Sequence, residues 1–116
     1  MAIHVKNSQE LKETLDKTTN KLVVLDFFAN WCGPCKTLAP KIEEYAKQFE
    51  SNILIIKIDV DDLEEIAMEY EISSMPTLIF IKSGEELERF SGSSTDTLEK
   101  LINQHVETQN KAVEQT

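Results

Sequence analysis

Arginine is almost missing from this 116-residue chain: Arg89 stands alone among twelve basic residues, against twenty-one acidic ones, and the net charge is −9. Such a chain lacks the basic face that phosphate neutralisation needs, so neither nucleic acid nor an anionic membrane is expected as a partner. The acidity itself reads as a solvating surface. Long apolar runs are missing as well. Leu22–Phe28 and Ile53–Ile58 are the most apolar segments, far below the ~20 residues a membrane span requires. Met1 to Lys12 is polar and mixed, without an apolar stretch of signal-peptide length, which predicts a cytoplasmic chain. No internal repeat, low-complexity tract or linker divides it, and the length suits one compact domain with its own core. Cysteine is scarce: Cys32 and Cys35 are the only two. In a reducing compartment that number favours redox chemistry or metal binding over a structural staple.

Segments of strand and helix character alternate along what is present. Ile3–Val5 reads as a short strand, and Ser8 offers an N-cap for a helix carrying Leu11 and Leu15. Leu22–Phe28 has the unbroken apolar character of a central strand covered on both faces. Leu38, Ile42, Tyr45, Ala46 and Phe49 recur at helical spacing, so Gly33–Glu50 is an expected helix with Pro40 inside it. Ile53–Val60 is a second buried strand. Asp61 with Glu64 has the spacing of a capping box, opening a helix with Leu63, Ile66, Ala67 and Tyr70 on one face. Thr77–Lys82 and Glu86–Ser91 flank the hairpin signal Ser83-Gly84-Glu85. Ser93 with Asp96 is placed to cap a last helix presenting Leu98, Leu101, Ile102 and Val106. The domain is expected over 1–107, and 108–116 as a polar, frayed tail. The order βαβαβα then ββα predicts an α/β fold, a mixed sheet with helices on both faces. Chemistry in such sheets sits beyond the carboxyl ends of the strands, where Cys32 and Cys35 fall.

The two cysteines stand in Trp31-Cys32-Gly33-Pro34-Cys35-Lys36, where a buried strand gives way to a helix. Unpaired N–H groups and the positive end of the macrodipole stabilise a thiolate there, against a free thiol pKa of about 8.5. Zinc wants four ligands, and the only histidines, His4 and His105, are distant and expected at the surface, so no metal is expected. Side chains three apart on a helix have Cβ atoms about 5–6 Å apart, whereas a disulfide wants about 3.5–4.5 Å. A loop this short returns only about 2 kcal/mol of chain entropy. The bond is therefore expected to be reversible. Cys32, nearer the helix end, is the expected nucleophile, and Cys35 the resolving thiol. Gly33-Pro34 brings no charge between them, which leaves the dithiol a better reductant than a histidine would.

Asp26-Phe27-Phe28-Ala29, the Trp31–Lys36 segment and Ser74-Met75-Pro76-Thr77, with Gly84 and Gly92, together resemble the thioredoxin family over roughly residues 3–107. The resemblance implies a thioredoxin fold and reduction of protein disulfides, of peroxiredoxin or reductase type. It implies re-reduction by an NADPH-dependent thioredoxin reductase; no cofactor is expected on the chain, and a monomer is the default expectation. Asp26 is a carboxylate in an apolar strand, so desolvation should raise its pKa, and Lys57 is the one charge in Ile53–Ile58. The residues alone allow a buried ion pair, two strand-end groups that reach water, or a carboxyl that takes the proton from Cys35; the resemblance implies that the pair assists proton transfer. It also implies a cis Met75–Pro76 bond packed on the disulfide, and a substrate groove bordered by Trp31, Gly33, Pro34, Met75, Pro76 and Gly92. Ser91 and Ser93 flank Gly92 where family members often carry apolar residues, so a more polar rim is expected. An alternative function is a redox-dependent binding module using the groove around Trp31 and Met75-Pro76. The second cysteine speaks against it, because holding a partner does not require one. An oxidase or isomerase of secreted proteins, and a glutathione site of glutaredoxin type, fit Gly33-Pro34 poorly.

Overall fold

A computed structural model describes residues 2–114, the side chains only as far as 106. Five strands and four helices alternate: β1 (Ile3–His4), α1 (Ser8–Lys17), β2 (Leu22–Phe28), α2 (Gly33–Gln48), β3 (Ile53–Asp59), α3 (Glu64–Glu69), β4 (Thr77–Lys82), β5 (Glu85–Ser91) and α4 (Thr95–Glu114). The sheet order is β1-β3-β2-β4-β5, with β1, β3 and β2 parallel, β4 antiparallel to β2 and β5 antiparallel to β4. The mixed sheet and the element order are those the sequence predicts.

Strand alternation divides the core in two. Leu22 and Val24 of β2 face Leu38 and Ile42 of α2 and Leu98 and Ile102 of α4. Val23, Leu25 and Phe27 face Leu11 of α1 and Ile66 of α3. Both faces of β2 are thus covered, which is why its sequence shows no polar alternation. By the same parity Asp26 points to the α2 side, the side on which the cysteines lie.

Several boundaries differ from expectation for identifiable reasons. Asn7, not Ser8, caps α1: its side-chain oxygen accepts from the Glu10 N–H at 2.8 Å, because Ser8 is already helical. Ser94 rather than Ser93 accepts from the Thr97 N–H, at 3.1 Å. The Asp61–Glu64 capping box does not form, since α3 begins at Glu64 and the cap position falls on Leu63, two residues beyond Asp61. Helix α2 runs through Pro40 and closes at Gln48. The hairpin turn is two residues long: Ser83 and Gly84 both take positive φ, 50° and 79°, and Glu85 already pairs with Lys82. Such a turn matches strand twist and needs left-handed backbone at both positions. His105 is not a surface residue. Its Nε2 lies 2.8 Å from a Glu88 carboxylate oxygen, and the ring packs on Phe80. Helix α4 ends at Glu114; the side chains of the segment expected as a tail, and residues 115–116 altogether, lie outside the described residues.

Candidate active site

Strand β2 ends at Phe28, and Ala29–Trp31 carry the chain to the N-terminus of α2. The Cys32 N–H donates to the Ala29 carbonyl at 3.2 Å, which turns the chain into the helix. Cys32 occupies the N-cap position with extended backbone, and its Sγ accepts the Cys35 N–H at 3.1 Å. The two cysteines are joined as a disulfide, their Cα atoms 5.3 Å apart. Exposure does not distinguish them, at 5% for Cys32 and 7% for Cys35. Surroundings do. The Cys32 sulfur lies 3.8 Å from the Met75 carbonyl oxygen, at the rim. Cys35 instead lines a pocket of about 150 Å³ shared with Asp26 and Lys57.

Asp26 is 4% exposed, and burial pushes its carboxyl up from 3.8 to about 6, while the positive charge of Lys57 pulls it back down. The two residues are register partners on adjacent parallel strands, so they point to the same face. The Lys57 ammonium sits 4.9 Å from the centroid of the Phe28 ring.

The rim carries the other expected residues. Trp31 is 69% exposed, its indole N–H donating to Asp61 Oδ2 at 2.9 Å. Met75–Pro76 is a cis peptide. The Gly92 N–H donates to the Pro76 carbonyl at 2.9 Å with φ at +119°, a conformation that favours glycine. Gly33 and Pro34 are exposed, and a Cβ on Gly33 would meet open space. Ser91 is also exposed, its hydroxyl 2.9 Å from that of Thr77. All the expected site residues therefore converge on the carboxyl end of β2.

Two contributors escape the sequence reading. Asp61, assigned there to a cap, holds the Trp31 indole. It follows the end of β3, beside the loop that leaves β2, and that adjacency was the available signal. Phe28, read as core, lies two residues after Asp26 and hence on its face. Among the described residues, no group of three or more His, Cys, Asp or Glu side chains could hold a metal ion. No helix among them is long and apolar enough to cross a membrane.

The thioredoxin family model matches residues 2–104. The chain belongs to the thioredoxin family. Thioredoxin-T of Drosophila melanogaster is 45% identical over 105 residues, covering 90% of this chain and 67% of that protein. The reduced thioredoxin pre-protein of Schistosoma mansoni superposes with a TM-score of 0.84 at 45% identity, covering 89% of this chain and 96% of that one. A structure on the thiol resolving mechanism of a yeast mitochondrial 1-Cys peroxiredoxin via glutathione and thioredoxin systems matches with a TM-score of 0.81 at 30% identity, covering 89% and 94%. The fold is the thioredoxin fold, and the chain is a thiol–disulfide oxidoreductase acting as a protein-disulfide reductase.

Proposed function

We propose that Cys32 is the attacking sulfur and Cys35 the resolving one. The observation that carries this is their division: Cys32 caps α2 at the rim, whereas Cys35 lines the pocket it shares with Asp26. The Cys32 thiolate attacks one sulfur of a substrate disulfide, and the other leaves as a thiolate. Cys35 then gives its proton to the Asp26 carboxylate across the pocket and attacks Cys32 Sγ. The second substrate sulfur departs, so two electrons have passed and Cys32–Cys35 is a disulfide. A carboxyl near pKa 6 is largely ionised at neutral pH, yet more basic than an ordinary aspartate, which suits a proton acceptor. Lys57 keeps that value from rising further. The groove of Trp31, Gly33, Pro34, Met75, Pro76 and Gly92 receives an extended substrate segment, whose main chain pairs with the Met75 backbone.

Re-reduction is assigned to a thioredoxin reductase drawing on NADPH. Peroxiredoxins are proposed among the substrates, supported by the peroxiredoxin system in which a structural relative was studied. An uncharged Gly33-Pro34 pair favours the reducing direction, and with it the cytoplasm as the place of work. In Cys35→Ser protein, substrates should accumulate as mixed disulfides on Cys32, separable on non-reducing gels. Cys32→Ser should trap none; equal trapping by both variants overturns the assignment of roles.

A further inference from the structure

The pocket behind the disulfide pairs a cation with an aromatic face that the exchange reaction does not itself require. Asp26 and Phe28 lie two residues apart on β2, hence on one face, and Asp26 is in register with Lys57 on β3. The Lys57 Nζ is 4.9 Å from the Phe28 centroid, within the range of a cation–π contact. Phe28 is itself held: the His4 ring meets it edge-on, with centroids 6.3 Å apart and planes at 79°. Lys57 is only half-buried, so without a seat its stem is free to carry the charge into water.

We propose that Phe28 is a positioning residue for the reaction, its ring seating the Lys57 ammonium at the pocket that Asp26 and Cys35 share. This rests on the reading in which Lys57 tunes Asp26 for proton transfer. The remaining charged and titratable groups around the carboxyl are few. Cys35 and Lys36 of α2 line the same pocket, and Asn30, which also lines it, is bonded to Asp59 of β3. His4 of β1 is the register partner of Lys57 on its other side, and the β4 partner of Asp26 is the uncharged Leu78. Lys57 is therefore the cation whose placement the Phe28 ring controls.

The test is a ¹³C titration of the Asp26 carboxyl in the oxidised protein, where Cys32 and Cys35 do not titrate. Phe28→Leu should raise the midpoint by about half a pH unit, and Lys57→Met by more. Phe28→Trp, which keeps an aromatic face, should leave it in place. In the Lys57→Met background, Phe28→Leu should add nothing. If Phe28→Leu fails to fold, pentafluorophenylalanine at position 28 keeps the ring's size, inverts its quadrupole and should give the same upward shift. An unmoved midpoint on Phe28→Leu, with a rise on Lys57→Met, overturns the seat and leaves the role of Lys57 standing. No shift on Lys57→Met overturns both. An equal shift with and without the lysine overturns the proposal by assigning the effect to packing.

Discussion

Asn7 and Cys32 occupy equivalent positions in two helices of this molecule. Each caps its helix by accepting the N–H three residues on: Asn7 Oδ1 from Glu10 at 2.8 Å, and Cys32 Sγ from Cys35 at 3.1 Å. An amide oxygen is a full acceptor in every state of the protein, so the α1 cap contributes stability and nothing else. A neutral thiol is a weak acceptor and a thiolate a strong one, so the α2 cap strengthens when the sulfur ionises. On the proposal that Cys32 is the attacking sulfur, this cap serves to favour its thiolate rather than only to hold the helix. The first turns differ in the same sense: α1 carries Glu10, whereas α2 carries no acid there. The positive end of α2 is left for the sulfur. One local device yields a structural cap or a reactive group according to the atom chosen and the charge kept away from it.

The largest expected effect comes from making the second terminus as purely structural as the first. Asp26 lies behind the sulfurs of α2, and its pKa is about 6 in the fold against 3.8 as the ordinary value. Below about pH 3.8 the carboxyl is protonated folded or unfolded and costs nothing. As pH rises through about 6 the fold must ionise a buried group, so stability is lost across that interval. Asp26→Asn should therefore stabilise the protein by about 2–3 kcal/mol at pH 7.5, and negligibly at pH 3.5. Disulfide reduction should slow by up to about 100-fold. Denaturant unfolding at both pH values, alongside insulin-disulfide turnover, checks this. An equal gain at both pH values rules out the buried charge as its source.

Much of this was legible in advance, and the misreadings share one cause. The unbroken apolar run Leu22–Phe28, the helical spacing after Cys35 and the dithiol itself are patterns set by burial and by local chemistry, and the structure keeps them. The caps slipped by one or two residues, because Ser8, Ser93 and Asp61 are good capping types whose use depends on where the helix begins. His105 was expected at the surface as an isolated polar residue. Its partner Glu88 is seventeen residues away on β5, and no local pattern reports such a pairing. In the same way, Asp61 reaches Trp31 and Phe28 reaches Lys57 across neighbouring strands. Residue types told what the site could do, while the strand order decided which side chains assist it.

Next in size is the loss of the ordinary cap. Asn7→Ala should cost about 1 kcal/mol of stability through α1, with turnover unchanged. A fall in turnover at constant fold would show that the two helix ends are coupled rather than independent.

The smallest effect sharpens the comparison most. Lys36 is exposed, follows Cys35 and lies in the first turn of α2, whose N-cap is Cys32. Lys36→Glu would give α2 the acid that α1 already has, opposing the helix field at the sulfur. Charges at a helix end are worth about 0.3–1 kcal/mol, so the thiolate fraction of Cys32 at a pH below its midpoint should fall about two- to five-fold. Alkylation of the reduced protein by iodoacetamide reads this without involving a partner surface. The rate should drop at pH 6, recover at high pH where the sulfur is ionised in both proteins, and differ less in molar salt, which screens exposed charge. A pH–rate profile unmoved by Lys36→Glu would mean that the Cys35 N–H acidifies Cys32 by itself. The absence of acid from the first turn of α2 would then contribute nothing to its reactivity.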